Sequence, residues 1–233
     1  MTDIPKDMKY EVLPDDYTQY DLSFKVIVLG DAGVGKSSLT NKATKNIFDD
    51  KYTATVGFEF FTFNIKINDK IVKLQIWDTC GQELYRSLIT NFYRNSSLAI
   101  IVYAVNHKDS FNDVDMWLRE LRTHSSPDVK VFLIGNKIDL ESERQISTEE
   151  GQSFADRNNL SKFVEASAKT GINAQTTFIN VAYLLFSDYM KYKANDEDNA
   201  KTKGEDKKEN EETKKIITNK NNKTKKKEKG GCC

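Results

Sequence analysis

The chain has 233 residues, of which 38% are hydrophobic, and this is enough for one domain with tails or for two small domains. The formal net charge is zero, but residues 1–21 carry two Lys against six acidic residues, and residues 191–233 carry fourteen Lys against nine. The middle of the chain is nearly neutral and need not bind nucleic acid. The longest apolar run, Leu98–Val105, has eight residues. Since a membrane helix needs about 20, no span is expected.

The N-terminus is acidic and lacks the apolar stretch of a secretory signal. The three cysteines, Cys80, Cys232 and Cys233, are too few and too unevenly spaced for a disulfide framework or a zinc site. Both features favour a reducing, cytosolic compartment.

The predicted elements begin after residues 1–21, which are polar and without a clear period, so we expect a flexible acidic N-terminal extension. Strands are predicted at Phe24–Leu29, Gly57–Lys66, Lys70–Trp77, Leu98–Ala104, Val131–Gly135 and Phe163–Ala166, with a hairpin turn at Asn68-Asp69. Helices are predicted at Ser38–Lys45, Ser110–His124 with Ser110 as N-cap, Thr148–Asn158 and Ala174–Lys191. Beyond residue 191 apolar residues are rare, so residues 192–233 are expected to form a disordered Lys-rich tail.

Strands that alternate with helices predict an α/β fold with a mostly parallel sheet and helices on both faces. The hairpin adds one antiparallel strand, which gives a six-stranded sheet in a domain over residues 22–191. Ligands of such sheets bind at the carboxyl ends of the strands, so we expect the functional site at that edge.

Residues Gly30–Ser37 follow the first strand, read GDAGVGKS and match the phosphate-binding pattern G-x-x-x-x-G-K-[ST]. Gly33 and Gly35 let the backbone turn tightly with its N–H groups directed inward, at the positive end of the next helix. Lys36 is expected to reach the β- and γ-phosphates, and Ser37 to hold Mg²⁺. The alternative, an ordinary glycine turn before a helix, is disfavoured by the Lys-Ser pair and both flanking elements.

Residues Asp78–Gln82 read DTCGQ and follow the strand that ends at Trp77. A strand-end Asp beside a phosphate loop can hold Mg²⁺ through water, and a Gln can orient the attacking water. The N–H of Gly81 can approach the γ-phosphate closely, because no Cβ intervenes. Gln82 alone is more often a solvated loop residue, but the order of these residues after a phosphate loop favours the functional interpretation.

The sequence NKID follows the strand Val131–Gly135. The Asp139 carboxylate can accept hydrogen bonds from guanine N1–H and the 2-amino group, which adenine lacks, so the motif favours GTP over ATP. Asn136 either braces the loop or reaches the base, and the stem of Lys137 would cover one face of the ring.

A fourth motif, Glu165–Lys169, reads EASAK and would place backbone N–H groups around Ala168 near the guanine O6. Together the four motifs resemble those of the Ras superfamily of small GTPases, over about residues 22–190. The resemblance implies a P-loop GTPase domain with Mg²⁺ as cofactor. It implies that Thr55 binds Mg²⁺ only when the γ-phosphate is present and that Phe48 packs edge-on against the guanine.

The resemblance also assigns a role to each site residue. Gln82 and Lys36 are the implied catalytic residues, and the metal ligands are Ser37, Thr55 and Asp78. The cycle implied is one of slow intrinsic hydrolysis that needs an activating protein, because no arginine finger is evident in the chain. The implied GTP-binding residues are Gly30, Asp31, Ala32, Gly33, Val34, Gly35, Lys36, Ser37, Ser38, Phe48, Thr55, Asp78, Gly81, Asn136, Lys137, Asp139, Ser167, Ala168 and Lys169.

Within the superfamily, the chain is similar to the Rab branch at Val56–Phe60, Trp77, Arg86–Leu88 and Phe92–Arg94. The similarity implies a vesicle-trafficking switch that alternates between an effector-binding GTP state and a GDP state. The implied effector surface consists of Val56, Gly57, Phe60, Trp77 and Phe92, although plain core packing is the alternative for the three aromatic side chains. The implied partners are an exchange factor, a GTPase-activating protein, a GDP-dissociation inhibitor and effectors.

Cys232 and Cys233 resemble the Rab site of double geranylgeranylation, and stable membrane anchoring requires two lipids. Upstream, Lys214–Lys229 carries eight Lys and one Glu, which suits an anionic membrane surface. We therefore expect the protein on the cytoplasmic face of endomembranes, with a cytosolic pool. The alternative for the Lys segment is a solvated charge run, or a nuclear or nucleic-acid tag.

Three other functions remain open. A GTP-locked scaffold would hardly hydrolyse GTP, which the presence of Gly81 and Gln82 disfavours. A nuclear or nucleic-acid GTPase would not need Cys232 and Cys233. An ATP-dependent kinase would not need Asp139.

Four residues depart from the pattern of the superfamily, and one of them, Ala104, replaces a common strand-end Asp without an explanation from the sequence. Cys80 stands where most relatives have Ala, and it is either a tolerated substitution or a redox-sensitive point. Leu84 replaces a usual Arg and is expected to change the choice of regulators. Ala32 lies in the phosphate loop near the expected transition state, and we do not infer an inactive enzyme from it.

Overall fold

The computed structural model describes residues 4–5, 8–51, 55, 57–80 and 92–196. The chain divides into two units, residues 1–186 and residues 187–233, and the sheet belongs to the first. In the second unit, residues 187–196 are helical. The strands of the first unit are β1 (Tyr10–Leu13), β2 (Leu22–Leu29), β3 (Phe58–Ile67), β4 (Lys70–Thr79), β5 (Leu98–Ala104), β6 (Lys130–Asn136) and β7 (Lys162–Glu165). Its helices are α1 (Lys36–Lys45), α2 (Lys108–Asn112), α3 (Val114–His124), α4 (Thr148–Arg157) and α5 (174–186), with a 3₁₀ helix at Ile138–Glu143.

The strands form one sheet in the order β1-β3-β4-β2-β5-β6-β7. β3 is antiparallel to β1 and β4, and the neighbouring strands from β4 across to β7 are parallel. The turn between β3 and β4 contains Asn68 with a left-handed φ of 51°. These observations confirm the α/β fold, the mostly parallel sheet and the predicted hairpin.

Strand β1 is an element that the sequence analysis does not predict. It pairs with residues Asn64–Ile67 of β3, and Val12 packs against the core. The expectation of a flexible extension over residues 1–21 is therefore wrong for residues 10–13, and also for residues 14–21, which are hydrogen-bonded to the hairpin. The sheet has seven strands in place of the expected six. A strand of four residues, followed at once by a proline and two acidic residues, carries too little periodic signal to be recognised.

Apolar side chains cover both faces of the sheet, as predicted. All seven residues of β5 are buried, and Ile100 points to the face covered by α1 and α5, where it joins a cluster with Leu39 and Phe178. On the opposite face, Ile101 belongs to a cluster with Trp117 of α3. Burial on both faces is typical of a central parallel strand, and it fixes the carboxyl ends of β2, β5 and β6 along one edge.

The predicted helix at Ser110–His124 is instead two helices, and Ser110 is not its N-cap. The Ser110 Oγ donates a hydrogen bond to His107 O at 2.7 Å and accepts one from the N–H of Ala104 at 3.1 Å, so it ties α2 to the end of β5. By contrast, Ser147 caps α4 in a reciprocal capping box with Glu150. Within the described part of the chain, no helix is long and apolar enough to span a bilayer.

Candidate nucleotide-binding site

The phosphate loop connects β2 to α1, and its glycines have left-handed backbone angles. At Gly35, where φ is 93°, an added Cβ would lie 2.4 Å from the Asn136 Nδ2, and at Gly30, where φ is 131°, it would lie 2.1 Å from Val102 O. Gly33 has a φ of 78° and open space around it. Only glycine adopts this loop without strain, so the loop requires the glycines that its motif supplies.

Lys36 is the first residue of α1, and its ammonium is folded back over the loop. Its Nζ donates hydrogen bonds to Gly30 O at 2.9 Å and to Asp31 O at 2.7 Å. Burial lowers the pKa of Lys36, and the nearby carboxylate of Asp78 partly opposes this shift. The loop therefore holds a desolvated cation above its own backbone, where a phosphate would be attracted.

Ser37, Thr55 and Asp78 meet beside this lysine. The Ser37 Oγ lies 2.8 Å from the Thr55 Oγ1 and donates a hydrogen bond to Asp78 Oδ2. The Asp78 Oδ1 is buried and has no hydrogen-bond partner among the described residues. Burial raises the pKa of Asp78 to about 6, although the Ser37 hydrogen bond and Lys36 act in the opposite direction. Hard oxygen donors with an unsatisfied buried carboxylate oxygen fit Mg²⁺, so the predicted metal ligands are brought together.

Asn136 joins the phosphate loop to the SAK motif. Its Nδ2 donates to Val34 O at 2.9 Å, and its Oδ1 accepts from the N–H of Ala168 at 3.1 Å. Of the two roles left open by the sequence, the structure therefore supports bracing. Asp139 lies at the other end of the site, where the Ser167 Oγ donates to its Oδ1 at 2.5 Å.

The predicted residues surround one cavity of about 560 Å³. This volume is within the range of small-molecule sites. Asp50, which the sequence analysis does not single out, also lines the cavity, and its Oδ1 lies 3.8 Å from the Lys169 Nζ. The predicted residues that line the cavity are Ala32, Gly33, Gly35, Lys36, Ser37, Ser38, Phe48, Thr55, Asn136, Lys137, Asp139, Ala168 and Lys169. Gly30, Asp31, Val34, Asp78 and Ser167 lie behind them and make the supporting contacts described above and below.

Two supporting contacts are not predicted by the sequence analysis. The Trp117 Nε1 donates to Asp31 Oδ1 at 2.8 Å and so ties α3 to the phosphate loop. Burial raises the pKa of Asp31, and the Trp117 hydrogen bond acts against this shift. Arg144, at the end of the 3₁₀ helix that contains Asp139, donates to Glu165 Oε1 at 2.6 Å and so joins this helix to the strand before the SAK motif. In the sequence, the one available signal for these supporting contacts was Trp117, because a buried Trp needs an acceptor for its N–H.

Four aromatic side chains contact one another at the end of the β3–β4 hairpin that is opposite to its turn, close in sequence to Thr55. The ring centroids of Phe60 and Phe92 each lie 5.1 Å from that of Trp77, and Phe58, which was not predicted, lies 4.7 Å from Phe92. Phe58 is 49% exposed and Phe60 is 50% exposed. Plain core packing therefore does not explain Phe58 and Phe60, whereas Trp77 and Phe92 are partly buried and Phe92 also packs against the core. We call Phe58, Phe60, Trp77 and Phe92 the aromatic surface.

Some predicted site residues lie outside the described residues. These are Val56, Gly81, Gln82, Cys232 and Cys233, together with Leu84. Cys80 is described, and its side chain is 1% exposed. Because a dissolved oxidant reaches such a thiol only after local opening, its burial disfavours the redox hypothesis.

The parallel sheet, the glycine loop that supports a buried lysine, and the cavity at the carboxyl ends of the strands define a P-loop nucleotide-binding protein. The sequence profile described as the Ras family matches residues 25–187. The chain is 45% identical to the GTP-binding protein ypt3 of Schizosaccharomyces pombe over 168 residues, which cover 72% of this chain and 78% of the relative.

Plant proteins show the same similarity. Identity is 45% to the Ras-related protein RABA1i of Arabidopsis thaliana, over 72% of this chain and 76% of the relative. Identity is 43% to the Ras-related protein Rab11B of Nicotiana tabacum, over 70% of this chain and 74% of the relative. The chain belongs to the Ras family, as a small GTPase of the Rab type.

Proposed function

We propose that the cavity binds GTP and GDP, with the phosphates on the loop Gly30–Ser37 and the guanine next to Asp139. The observation that carries this proposal is that one cavity is lined by the loop lysine, by the hydroxyl groups of Ser37 and Thr55, and by Asp139. A nucleoside triphosphate needs a cation for its phosphates, oxygen ligands for its metal and a selective group for its base.

Guanine selectivity would come from the Asp139 carboxylate. It would accept hydrogen bonds from N1–H and the 2-amino group, while Asn136 would keep the loop of Asp139 in register with the phosphate loop. Backbone N–H groups around Ala168 would meet the guanine O6. The Ala168 N–H, which donates to Asn136 Oδ1 at 3.1 Å, would have to share or exchange that hydrogen bond to do so. Phe48 lines the same cavity and would pack against the edge of the base.

Ras-family GTPases generally use Mg²⁺ with GTP, and in this chain Ser37, Thr55 and Asp78 would hold it. When bound, the ion neutralises charge on the β- and γ-phosphate oxygens. The Asp78 Oδ1, which has no hydrogen-bond partner among the described residues, supports this assignment, because a buried carboxylate oxygen without a hydrogen bond is costly.

Hydrolysis would be the in-line attack of water on the γ-phosphorus, and Gln82 would orient that water. Lys36 would stabilise the charge that develops on the phosphate oxygens. Thr55 and Gly81 would contact the γ-phosphate and be released after hydrolysis. Since Gly57 begins the segment that leads into Phe58 and Phe60, the release of Thr55 would change the aromatic surface that effectors bind, together with the neighbouring Val56.

Regulation of vesicle trafficking requires contact with membranes, and Cys232 and Cys233 would carry the lipids. The Lys segment at Lys214–Lys229 would add attraction to anionic lipids on the cytoplasmic face of endomembranes. A cytosolic pool would be held by a GDP-dissociation inhibitor, and an exchange factor and a GTPase-activating protein would drive the cycle.

Replacement of Asp139 by Asn tests the assignment of the base. Asp139→Asn should weaken GDP binding by about 10² or more, because two hydrogen bonds to a charged group, each worth about 1.5–3 kcal/mol, are lost or weakened. Asp128→Asn, an exposed acid outside the cavity, should leave GDP binding unchanged. GDP affinity is measured by competition with a fluorescent GDP. Equal affinity in Asp139→Asn and the wild type would contradict the proposal that Asp139 binds the guanine base.

A further inference from the structure

Residues 8–21 lie outside the segment that matches the Ras family, yet they are attached to the sheet. The strand β1 within them pairs with β3, and the N–H of Asn68 donates to Lys9 O at 3.1 Å. We call residues 8–21 the N-terminal strap. The strap is built onto the hairpin that carries the aromatic surface.

After β1 the strap turns across the outward face of the hairpin. The N–H of Tyr17 donates to Pro14 O at 3.2 Å and closes a turn that contains Asp15 and Asp16. Asn64 is fully buried under this turn, and its Nδ2 donates to Pro14 O at 2.8 Å. The backbone of the turn is therefore fixed to β3.

A second contact places the turn beside the aromatic surface. The Thr62 Oγ1 donates to Asp15 O at 2.5 Å. Along β3, Phe61 and Phe63 are buried in the core, so Phe60 and Thr62 share the outward face. Phe60 and Thr62 are consecutive outward-facing residues of β3, about 7 Å apart along the strand. Asp15, which is hydrogen-bonded to Thr62, therefore lies near Phe60 on the same face of the hairpin.

The strap is also anchored at its far end. Asp21 exchanges two hydrogen bonds of 2.8 Å with the backbone of Ile71, one through its N–H and one through Oδ2. The Tyr20 ring lies 4.9 Å from the Lys73 Nζ, so this ring covers a lysine on the hairpin. With both ends attached, the turn has a defined position.

The two carboxylates of the turn are exposed, and neither forms an ion pair with any residue in the described part of the chain. Within the described residues, the hydrogen bonds from the hairpin to Asp15 go to its backbone carbonyl. The turn is therefore attached to the hairpin through hydrogen bonds of its peptide groups. The carboxylates of Asp15 and Asp16 stay free of ion pairs with the described residues and place two negative charges at the rim of the aromatic surface. Charge at the rim of an interface affects the choice of partner and the association rate more than the final affinity.

We propose that the acidic turn and the aromatic surface form one docking surface for a partner whose apolar side chains are flanked by Lys or Arg. Aromatic rings whose edges and faces reach solvent bury apolar side chains well, and they also attract cations, as Lys25 illustrates at 5.7 Å from the Trp77 ring. The carboxylates of Asp15 and Asp16 would meet the basic groups at one side of the surface. This inference rests on the proposed function, in which the aromatic surface binds effectors.

The test uses the full chain loaded with a non-hydrolysable GTP analogue. A display library of three-helix-bundle proteins, randomised on one helix face, is selected for binders and counter-selected against the GDP-loaded protein. Association rates of the selected binders are then measured at about 50 and 200 mM salt against four proteins. These are the wild type, Asp15→Asn/Asp16→Asn, the control Asp128→Asn/Glu149→Gln, which removes the same charge elsewhere, and Phe60→Ala. GDP release rates and thermal unfolding of each variant establish that it is folded.

The proposal predicts binders with Lys or Arg beside apolar residues. At low salt their association with Asp15→Asn/Asp16→Asn should be about 3- to 10-fold slower than with the wild type, and this difference should shrink at high salt because ions screen the exposed charges. The control double variant should behave like the wild type, and Phe60→Ala should abolish binding. Binders that need Phe60 but associate equally fast with both double variants would contradict a role of the acidic turn in docking and leave the proposed function intact. Binders indifferent to Phe60 would overturn both.

Discussion

Asp78 gives the site its most unusual local chemistry, because a carboxyl group is buried there without enough partners. Ser37 satisfies Oδ2, whereas Oδ1 has no hydrogen bond within the described structure. Desolvation favours the neutral form and raises the pKa of Asp78 to about 6. A divalent cation would replace the missing interactions of this carboxylate, and this supports the proposal that Asp78 holds Mg²⁺.

The raised pKa has a consequence for stability. Without nucleotide and Mg²⁺, burial keeps Asp78 protonated in the folded chain up to a pKa of about 6, whereas in the unfolded chain it has the ordinary pKa of an Asp, 3.8. Asp78 therefore stabilises the fold most at low pH, and this contribution is lost as the pH rises from about 4 through 6. Compared with Asp78→Asn, the wild type should lose on the order of 3 kcal/mol across this window in urea unfolding. A constant difference between the two proteins from pH 4 to pH 7 would contradict the shift.

Gly33 and Gly35 form a matched pair for testing the phosphate loop. Both have a left-handed φ, but only Gly35 faces a close neighbour, the Asn136 Nδ2 at 2.4 Å from a built Cβ. Gly33→Ala should cost about 1–2 kcal/mol from its backbone angle alone. Gly35→Ala should cost more, because it also displaces the hydrogen bond from Asn136 to Val34 O. Equal losses in urea unfolding would show that Asn136 moves aside without cost.

At the scale of elements, the central strands, the hairpin and α4 were predictable because their signals are local. Strand β5 is continuously apolar, the turn of the hairpin has Asn-Asp, and Ser147 with Glu150 forms a capping box. Strand β1 was not predictable, since it is held by pairing with Asn64–Ile67 of β3, about fifty residues away. The division of the predicted helix at Ser110 also depends on a distant partner, the end of β5.

The strap gives an element-scale prediction that is independent of any partner. Asn64→Ala should lower the free energy of unfolding by about 1–3 kcal/mol, because a buried side chain is truncated and its hydrogen bonds to the carbonyl groups of Pro14 and Asp15 are lost, although each carbonyl keeps a second donor. Gln75→Ala on the neighbouring strand is the control and should have a smaller effect. Hydrogen exchange should rise in residues 10–13 of Asn64→Ala and stay unchanged in β5. Unchanged exchange in β1 would show that Asn64 does not hold the strap.

At the scale of the whole molecule, the site depends on contacts that no motif contains. Trp117 reaches Asp31 across 86 residues, and Arg144 joins the strand end at Glu165 to the 3₁₀ helix. The motifs predicted which side chains line the cavity, because each motif carries its own chemistry. The supports behind them arise from tertiary packing, which a linear pattern does not encode.

The central claim is that the chain hydrolyses GTP through Gln82 and thereby switches its surface. Single-turnover release of phosphate from pre-loaded GTP tests it most directly, with Gln82→Leu compared with the wild type and with Gln152→Leu, an exposed control on α4. The wild type and the control should release phosphate slowly and equally, and a Rab GTPase-activating domain should accelerate both by about 10³–10⁵. Gln82→Leu should bind GTP normally and release phosphate at least about tenfold more slowly. Equal release from Gln82→Leu and the wild type, with and without the activating domain, would contradict the account.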